Sequence, residues 1–372
     1  MEFKQSAIRE DFYLFEFLEG DVSMSHARLW IKNINLGSAV FKAGLICGVG
    51  TRPECRRGGY VKRLLGKMYS FCRERGADIC LLHPFSNSYY RKYGFERVSD
   101  HRILSFPMSV LSCVERYPEL VRCNAKERNA DLCRVYNSFS KGRNIMPLRD
   151  ESYAFVTKDD KKRVYISYGE KGEADGYIIY SVEAEFDVNR MARGVLNVYE
   201  LGYTCPEAMK KILGFMRMFD GEAETAVLHN VAMMPELELF LRDYEMICIR
   251  VVPDCMARIN NVKAVLENIK YPEPLSFSVR VTDPFPAEGA EGLSCGSWRV
   301  DFDGSLTVVT ELGAEDGVDV ELDIPSLSRF VFGYEVYSRQ VAQYCHNTKF
   351  LTDAEGFFKA FKNTPCGVFE HF

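Results

Sequence analysis

Residues Arg56 to Val61 are the part of the chain whose composition most clearly indicates chemistry. The apolar stretch Ala43 to Val49 runs into a basic turn with two glycines, and the turn opens a segment with apolar residues at helical spacing. The first turn of a helix leaves backbone N–H groups unpaired, with the positive end of the helix dipole behind them. Glycines let a ligand approach this backbone, and Arg56 and Arg57 add positive charge. We therefore predict a binding site for a pyrophosphate group.

The spacing of this turn differs from that of two common phosphate-binding motifs. It matches neither G-x-x-x-x-G-K-[ST] nor G-x-G-x-x-G. The pattern is Arg-x-x-Gly-x-(small residue), and Arg56, Gly59 and Val61 take the three defined places. A glycine turn before a basic surface helix, with both arginines solvated, would have the same sequence. The turn alone leaves both interpretations open.

The elements around the turn must present its backbone at the edge of a sheet. Near the N-terminus we predict strands at 12–17, 22–32 and 43–49, a helix at 58–75 and a strand at 79–82. This strand–helix–strand order implies a mixed sheet with a parallel pair. After Pro107 the order loosely repeats without an arginine-glycine turn, beginning with helices at 109–121 and 126–140 and a strand at 152–156.

A proline-rich linker, Tyr271-Pro272-Glu273-Pro274, precedes the last hundred residues. The segment 275–323 is rich in predicted strands with polar glycine turns, and helical patterns follow it. This order is typical of an α+β module.

Composition limits the function classes. The chain has 372 residues, 47% hydrophobic and 27% charged, with a net charge of −5, which gives no global case for binding nucleic acid or an anionic membrane. The basic cluster at 52–67 is local and suits a small anionic ligand. The 13 cysteines include no C-x-x-C pair and no zinc spacing, so we expect reduced thiols, no metal and a cytoplasmic protein. No apolar run approaches 18 residues, so we expect no membrane span.

Two further segments make the pattern specific. The turn is followed at some distance by Tyr90-Arg91-Lys92-Tyr93-Gly94-Phe95, a Tyr-x-x-(aromatic)-Gly-(aromatic) pattern, and far downstream by Met256-Ala257-Arg258-Ile259. With Pro53-Glu54-Cys55-Arg56-Arg57-Gly58-Gly59, these segments resemble the Eis-type (enhanced intracellular survival) acetyltransferases of the GNAT superfamily. The resemblance covers the chain from about residue 11.

This resemblance implies an α+β fold with mixed sheets and three domains. Residues 1–107 would form an N-terminal GNAT domain with the acetyl-CoA site, and residues 108–270 a second GNAT-like domain without a coenzyme motif. Residues 271–372 would form a sterol-carrier-like domain. A GNAT domain normally begins with a strand and two helices that wall the acceptor pocket, whereas here only about ten residues precede the strand at 12–17.

The family's donor site can be transferred onto this sequence residue by residue. Backbone groups of Val49, Gly50 and Thr51 would bind the pantetheine arm and the acetyl carbonyl, unless this is an ordinary core strand. The pyrophosphate would be held, mostly by backbone N–H groups, at Arg56, Arg57, Gly58, Gly59, Tyr60 and Val61. Family members often have a third basic residue where Gly58 stands, so the positive charge here is slightly weaker.

Two catalytic groups follow from the same resemblance. Tyr90 matches the tyrosine that protonates the coenzyme sulfur, and a phenol with a pKa of about 10 keeps its proton at neutral pH. The neighbouring Tyr89 and Tyr93 compete for this role, although packing explains them equally well. The C-terminal carboxylate, here that of Phe372, would be the general base, with Glu370 or His371 as substitutes and a frayed tail as the alternative.

The predicted function is acetyl-CoA-dependent N-acetyl transfer, made directly and without a covalent enzyme intermediate. The acceptor would be a primary amine of a small cationic molecule, such as an aminoglycoside or polyamine, or a lysine. The resemblance also implies a homo-oligomer, a hexamer or a smaller assembly. The alternative is a non-catalytic acyl-CoA- or lipid-binding protein on a degenerate GNAT scaffold.

Overall fold

A computed structural model describes residues 2–155, 161–186, 192–241, 243–286, 293–334, 336–344, 347–370 and 372. The strands are β1 (Glu2–Arg9), β2 (Phe12–Glu19), β3 (Val22–Leu36), β4 (Ala39–Thr51), β5 (Ile79–Leu82), β6 (Glu96–Arg97), β7 (Asp100–Pro107), β8 (Val121–Cys123), β9 (Arg163–Tyr168), β10 (Ala174–Phe186), β11 (Ala192–Tyr203), β12 (Thr225–Leu228), β13 (Cys248–Pro253), β14 (Met256–Ile259), β15 (Leu275–Thr282), β16 (Gly296–Phe302), β17 (Thr307–Glu311), β18 (Val320–Asp323) and β19 (Thr348–Phe350). The helices are α1 (Tyr60–Glu74), α2 (Asn87–Arg91), α3 (Asn129–Phe139), α4 (Pro206–Met216), α5 (Pro235–Phe240), α6 (Val262–Asn268), α7 (Ile324–Val331), α8 (Arg339–Ala342) and α9 (Glu355–Ala360).

Three sheets organise these elements. The first sheet has the order β1-β2-β3-β4-β5-β14-β6, the second β13-β7-β12-β11-β10-β9-β8, and the third β17-β16-β15-β18-β19. Both seven-stranded sheets contain one parallel pair, β4 with β5 and β11 with β12. The mixed α+β fold class predicted from the sequence is therefore confirmed.

The first two sheets are copies of one design. The β3–β4 hairpin, the parallel strand β5 and the helix α1 between β4 and β5 correspond to β10–β11, β12 and α4. In each sheet the strand next to the parallel pair comes from outside the local run of chain. Strand β14 pairs with β5 and β6, and strand β7 pairs with β12 and β13.

This exchange of strands cuts across the predicted domain boundaries. Strand β7 lies within 1–107 but belongs to the second sheet, and β14 lies within 108–270 but belongs to the first. Local patterning does not reveal such an exchange, because the hydrogen-bond partner of a strand is chosen by long-range packing.

Strand β1 was not predicted from the sequence. It pairs antiparallel with β2, and a two-residue turn at Glu10 and Asp11 joins the two strands, with Asp11 at a φ of 56°. The segment Glu2–Arg9 is mostly exposed at the sheet edge, so it lacks the apolar alternation that identifies a strand. The strand before β2 is thus present, but no helices separate it from β2.

Two other local predictions were wrong or lie partly outside the described residues. The predicted helix at 109–121 is a short 3₁₀ segment, Met108–Cys113, followed by extended chain and β8, because Pro118 cannot continue a helix. The predicted strand at 152–156 is turn and coil as far as residue 155, and residue 156 is not described.

The third sheet packs against the first through a shared core. Its strands contribute Phe277, Val279 and Trp298 to the same buried cluster as Leu45 and Leu81 of the first sheet. The opposite face of the first sheet, including Ile46, packs against α1. No described helix has the length and apolar character needed to cross a membrane. The sterol-carrier likeness of this third unit stays a prediction.

Candidate active site

Strands β4 and β5 separate at one end of the first sheet. They are paired from Ala43 opposite Ile79 as far as Ile46 opposite Leu82, where β5 ends. Strand β4 continues to Thr51, still paired with β3 on its other side. The backbone of residues 47–51 therefore has one edge without a strand neighbour in the described part of the chain, and its polar groups can bind a ligand there.

A bulge in β4 directs this open segment away from β5. Gly48 and Val49 together lie opposite Ala27 of β3, and Gly48 has a φ of 56°. A left-handed residue with an extra position in one strand bends that strand locally. Gly50 is constrained differently, since a Cβ there would lie 2.8 Å from the ring of His26.

The basic turn then leads into α1. A 3₁₀ turn, Pro53–Cys55, is followed by Arg57 at a φ of 67° and Gly59 at 76°. Gly59 is the N-cap of α1, and no side chain caps the helix. The first backbone N–H groups of α1 are therefore free of a side-chain cap and available to an anion. Gly58 is tightly placed, because a Cβ would lie 2.8 Å from the Tyr60 ring.

These features border a cleft of about 800 Å³, which we call the large cleft. It is lined by Val49, Gly50, Thr51, Cys55, Arg56, Arg57, Gly59, Tyr60, Val61, Lys62, Phe85, Tyr89, Lys92 and Tyr93. Eight of the nine predicted donor-site residues line it, and Gly58 does not. Lys62 and Lys92, which the sequence did not single out, bring the cationic side chains to four. The position of Lys62 in the first turn of α1 was the available signal for its place in the cleft.

Tyr90 is not among the residues that line the large cleft. Its side chain is 3% exposed and packs edge-on against the rings of Phe85, Tyr89 and Phe95. Burial raises the pKa of Tyr90 to about 12, so its hydroxyl keeps its proton at neutral pH. Consecutive residues of a helix point about 100° apart, and of the three tyrosines in this segment Tyr89 and Tyr93, four positions apart, line the cleft.

Phe372 lies at the end of β5, where β4 and β5 separate. Its ring centroid is 4.6 Å from that of His83, the residue that follows β5. His83 Nδ1 is 2.9 Å from Asp254 Oδ1, and Nε2 is 3.1 Å from the Glu370 backbone oxygen. His83 therefore links the end of β5 both to Asp254 and to the C-terminal residues. His371 lies outside the described residues.

A second, smaller space lies on the face of the first sheet opposite α1. This small cavity of about 130 Å³ is lined by Trp30, Lys32, Leu45, Pro147, Leu148, Arg149, Tyr153, Glu370 and Phe372. Lys32 Nζ is 4.6 Å from the Trp30 ring centroid and 3.3 Å from Asp150 Oδ2. The cavity combines aromatic walls with two cationic side chains and one side-chain carboxylate, and the C-terminal residue Phe372 also lines it.

Arg149 is one of the residues of this cavity that the sequence did not reveal. It is 4% exposed, and it forms ion pairs with Glu200 and Glu370. Burial opposes its charge, but the two carboxylates outweigh burial and hold the Arg149 pKa well above its ordinary value. Nothing in the local sequence distinguishes this arginine, because its partners lie 51 and 221 residues away.

Two segments of the chain match known domain families. Residues 2–98 match a family model described as an acetyltransferase (GNAT) domain, and residues 146–259 match a second model with the same description. The predicted tandem pair of GNAT domains is thereby confirmed. No curated protein sequence matches the chain significantly.

Solved structures share the fold over almost the whole chain. A probable N-acyltransferase from Enterococcus faecalis V583 is 18% identical, with a TM-score of 0.80 over 98% of this chain and 90% of that one. A GCN5-related N-acetyltransferase from Anabaena variabilis is 17% identical, with a TM-score of 0.80 over 98% and 90%. Eis1 from Mycobacterium abscessus is 13% identical, with a TM-score of 0.78 over 96% and 90%. Identities this low show a common fold.

Proposed function

We propose that the first of the two GNAT acetyltransferase domains, which match at residues 2–98 and 146–259, transfers acetyl from acetyl-CoA directly to a primary amine. The observation that carries this proposal is the large cleft. It joins the open edge of β4 to the uncapped start of α1 and to the cationic side chains of Arg56, Arg57 and Lys62. An extended backbone edge suits the amides of pantetheine, and a cationic helix start suits its pyrophosphate.

The proposed reaction needs one base and one acid. The neutral amine attacks the thioester carbonyl carbon, the carbon–sulfur bond breaks, and the coenzyme leaves as a thiolate. The amine proton passes to a carboxylate, for which we propose that of Phe372, with Glu370 and His371 as substitutes. The thiolate takes a proton from a tyrosine, for which we propose Tyr90, with Tyr89 as its competitor at the cleft wall.

We propose the small cavity as the place where the acceptor amine enters. It lies on the sheet face opposite α1, beside the point where β4 and β5 separate, so an amine there approaches the thioester from the side opposite the coenzyme. Its volume of about 130 Å³ is well below the ~300–1,000 Å³ of typical ligand pockets. Lys32 is paired with Asp150, and Arg149 is paired with Glu200 and Glu370, so the charge of the lining does not select among these acceptors, and the size of the cavity decides. A small amine or a lysine side chain is therefore a better candidate than an aminoglycoside or polyamine.

The test is a product assay by mass spectrometry. The protein is incubated with acetyl-CoA and a panel of small primary amines, a lysine peptide, a polyamine and an aminoglycoside. We expect acetylated product from at least one small amine or lysine, and free coenzyme in equal amount. Thermal stabilisation by acetyl-CoA without any acetylated amine would instead support the non-catalytic acyl-CoA-binding alternative.

The predicted homo-oligomer and the cytoplasmic location are independent of this chemistry. Light scattering on the purified protein checks the first, since a hexamer would have six times the 42.6 kDa of one chain.

A further inference from the structure

We infer that the second GNAT domain holds the C-terminal segment in place of a coenzyme. Glu370 is the positioning residue that attaches this segment to the second domain. The C-terminal segment comprises residues 365–370 and 372. The inference rests on the proposed function in one respect, since the segment forms part of the small cavity to which we assign the acceptor.

The second domain has the same strand separation as the first. Strands β11 and β12 are paired as far as Val198 opposite Leu228, and β11 continues to Tyr203. The connection to the following helix is much shorter. Eight residues, 52–59, join β4 to α1, whereas two residues, 204–205, join β11 to α4. The second domain thus lacks the loop that would hold a pyrophosphate.

A side chain fills the position that is open in the first domain. Counted from the last parallel pair, Glu200 of β11 takes the place of Gly48 of β4. Glu200 is 8% exposed, binds Arg149 and accepts a hydrogen bond from the Tyr177 hydroxyl. A buried ion pair therefore occupies the place where the first domain presents bare backbone.

Arg149 extends this ion pair to the C-terminal segment. Its Nε donates to Glu370 Oε1 at 2.7 Å, while its other two guanidinium nitrogens bind Glu200. The Tyr136 hydroxyl lies 3.3 Å from the same Glu370 oxygen, and the Tyr136 ring is 3.6 Å from Arg149 Cζ. One guanidinium thus serves both carboxylates, which is the strong type of charge-assisted contact.

The rest of the segment is fixed to the same domain. The Asn230 side-chain amide donates to the Val368 carbonyl, and the Asn144 backbone N–H donates to the Pro365 carbonyl at 2.8 Å. The Phe369 ring packs in the core of the second domain against Phe139. Asn230 follows β12 closely, so the segment crosses the second strand separation before it reaches the first.

Glu370 is the point at which the segment passes between domains. Its side chain is held by Arg149, whereas its carbonyl faces His83 at the end of β5. Phe372 is two positions beyond Glu370, and a step of two residues spans at most about 7 Å. Anchoring Glu370 therefore confines Phe372 to the wall of the small cavity, where both residues are found.

The test is the substitution Glu370→Gln, which keeps the side-chain volume and leaves Arg149 paired with Glu200. The matched control is Glu236→Gln, because Glu236 binds an arginine, Arg143, and a tyrosine hydroxyl, that of Tyr203, in the same domain without contacting the segment. We expect Glu370→Gln to raise the acceptor KM about tenfold, because losing one charge-assisted hydrogen bond changes an equilibrium constant by about this factor. The dissociation constant of acetyl-CoA should not change.

Amide hydrogen exchange supplies a readout that needs no activity. We expect the amides of residues 366–370 to exchange about tenfold faster in Glu370→Gln than in Glu236→Gln. Equal exchange and equal acceptor KM in the two variants would overturn the inference. If the wild-type protein acetylates nothing, the proposed function fails, and the exchange result still decides whether the second domain holds the segment. If Glu370→Gln does not fold, Asn230→Ala removes a different contact and should give the same faster exchange.

Discussion

Tyr89 and Tyr90 stand edge to face with their ring centroids 5.2 Å apart, yet of the two only Tyr89 lines the large cleft. Tyr90 matches the sequence motif and faces the core, while Tyr89 has the access that proton transfer to a bound coenzyme requires. The sequence motif thus indicates Tyr90 as the general acid, whereas access to the cleft indicates its neighbour Tyr89.

The first prediction separates these two tyrosines. If Tyr90 is the acid, Tyr90→Phe should lower kcat at least ~100-fold, the usual minimum for general acid catalysis, without changing acetyl-CoA affinity. Steady-state kinetics and calorimetry measure the two effects. Since the pKa of Tyr90 is about 12, its ionisation should produce no alkaline fall in rate below about pH 11. A loss of kcat in Tyr89→Phe but not in Tyr90→Phe would transfer the role to Tyr89.

A second prediction concerns Arg56 and Arg57. Replacing either by alanine should weaken acetyl-CoA binding roughly tenfold or more, because each loses a charge-assisted bond of ~1.5–3 kcal/mol. Lys67→Ala is the control, since this exposed lysine lies two turns into α1 and outside the large cleft. Calorimetric titration at two salt concentrations measures the effect, and equal affinities in all three variants would remove the pyrophosphate from this turn.

A third prediction compares two glycines of α1. A Cβ would meet no atom within 4 Å at either Gly59 or Gly66, but Gly59 alone has a positive φ, of 76°. Gly66→Ala should stabilise the protein by ~0.5–1 kcal/mol because alanine favours the helix. Gly59→Ala should destabilise it by ~1–2 kcal/mol through backbone strain. Urea unfolding measures both, and effects of the same sign would contradict the assigned N-cap conformation.

A fourth prediction concerns the buried ion pair of Arg258 and Asp283, which joins β14 to the third unit. Both side chains are at most 1% exposed, and Arg258 also donates to the Tyr93 carbonyl next to the large cleft. Asp283→Asn should cost about 3 kcal/mol, since it leaves a buried guanidinium uncompensated. Glu321→Gln removes a half-exposed partner of Arg280 and should cost less than about 1 kcal/mol. Urea unfolding measures both losses of stability, and losses of similar size would show that burial does not determine the cost of breaking an ion pair here.

A fifth prediction follows from the buried tyrosines Tyr69, Tyr136 and Tyr177. Burial raises the pKa of each well above the ordinary value of 10.0. Above pH 10 the unfolded chain loses protons that the native protein retains. The contribution of these tyrosines to the free energy of unfolding is therefore fully present below pH 10 and declines as the pH rises. The slope should be up to ~1.4 kcal/mol per pH unit for each tyrosine.

Tyr69→Phe should reduce this alkaline slope, whereas Tyr344→Phe should not, because Tyr344 is 81% exposed. Urea unfolding between pH 8 and pH 11 measures the slope, and a stability independent of pH over that range would contradict the prediction.

The sequence was most informative where function depends on backbone geometry. A turn that needs glycines and a helix start that needs a free N-terminus leave a local signature, so Arg56 to Val61 could be singled out as a candidate site from residue types and spacing alone. The mixed α+β fold and the tandem repeat were likewise visible, because apolar periodicity is set within each element.

What only the tertiary structure decided depends on partners far apart in the chain. The exchange of β7 and β14 between sheets, the meeting of Arg149 with Glu200 and Glu370, and the choice of tyrosine at the cleft all fall in this class. Strand pairing and buried ion pairs are determined by which surfaces exclude water together, and no local pattern encodes that choice. The sequence by itself therefore determined which residues form the basic turn beside the large cleft, whereas the small cavity and the segment that walls it were decided by the packing of all three units.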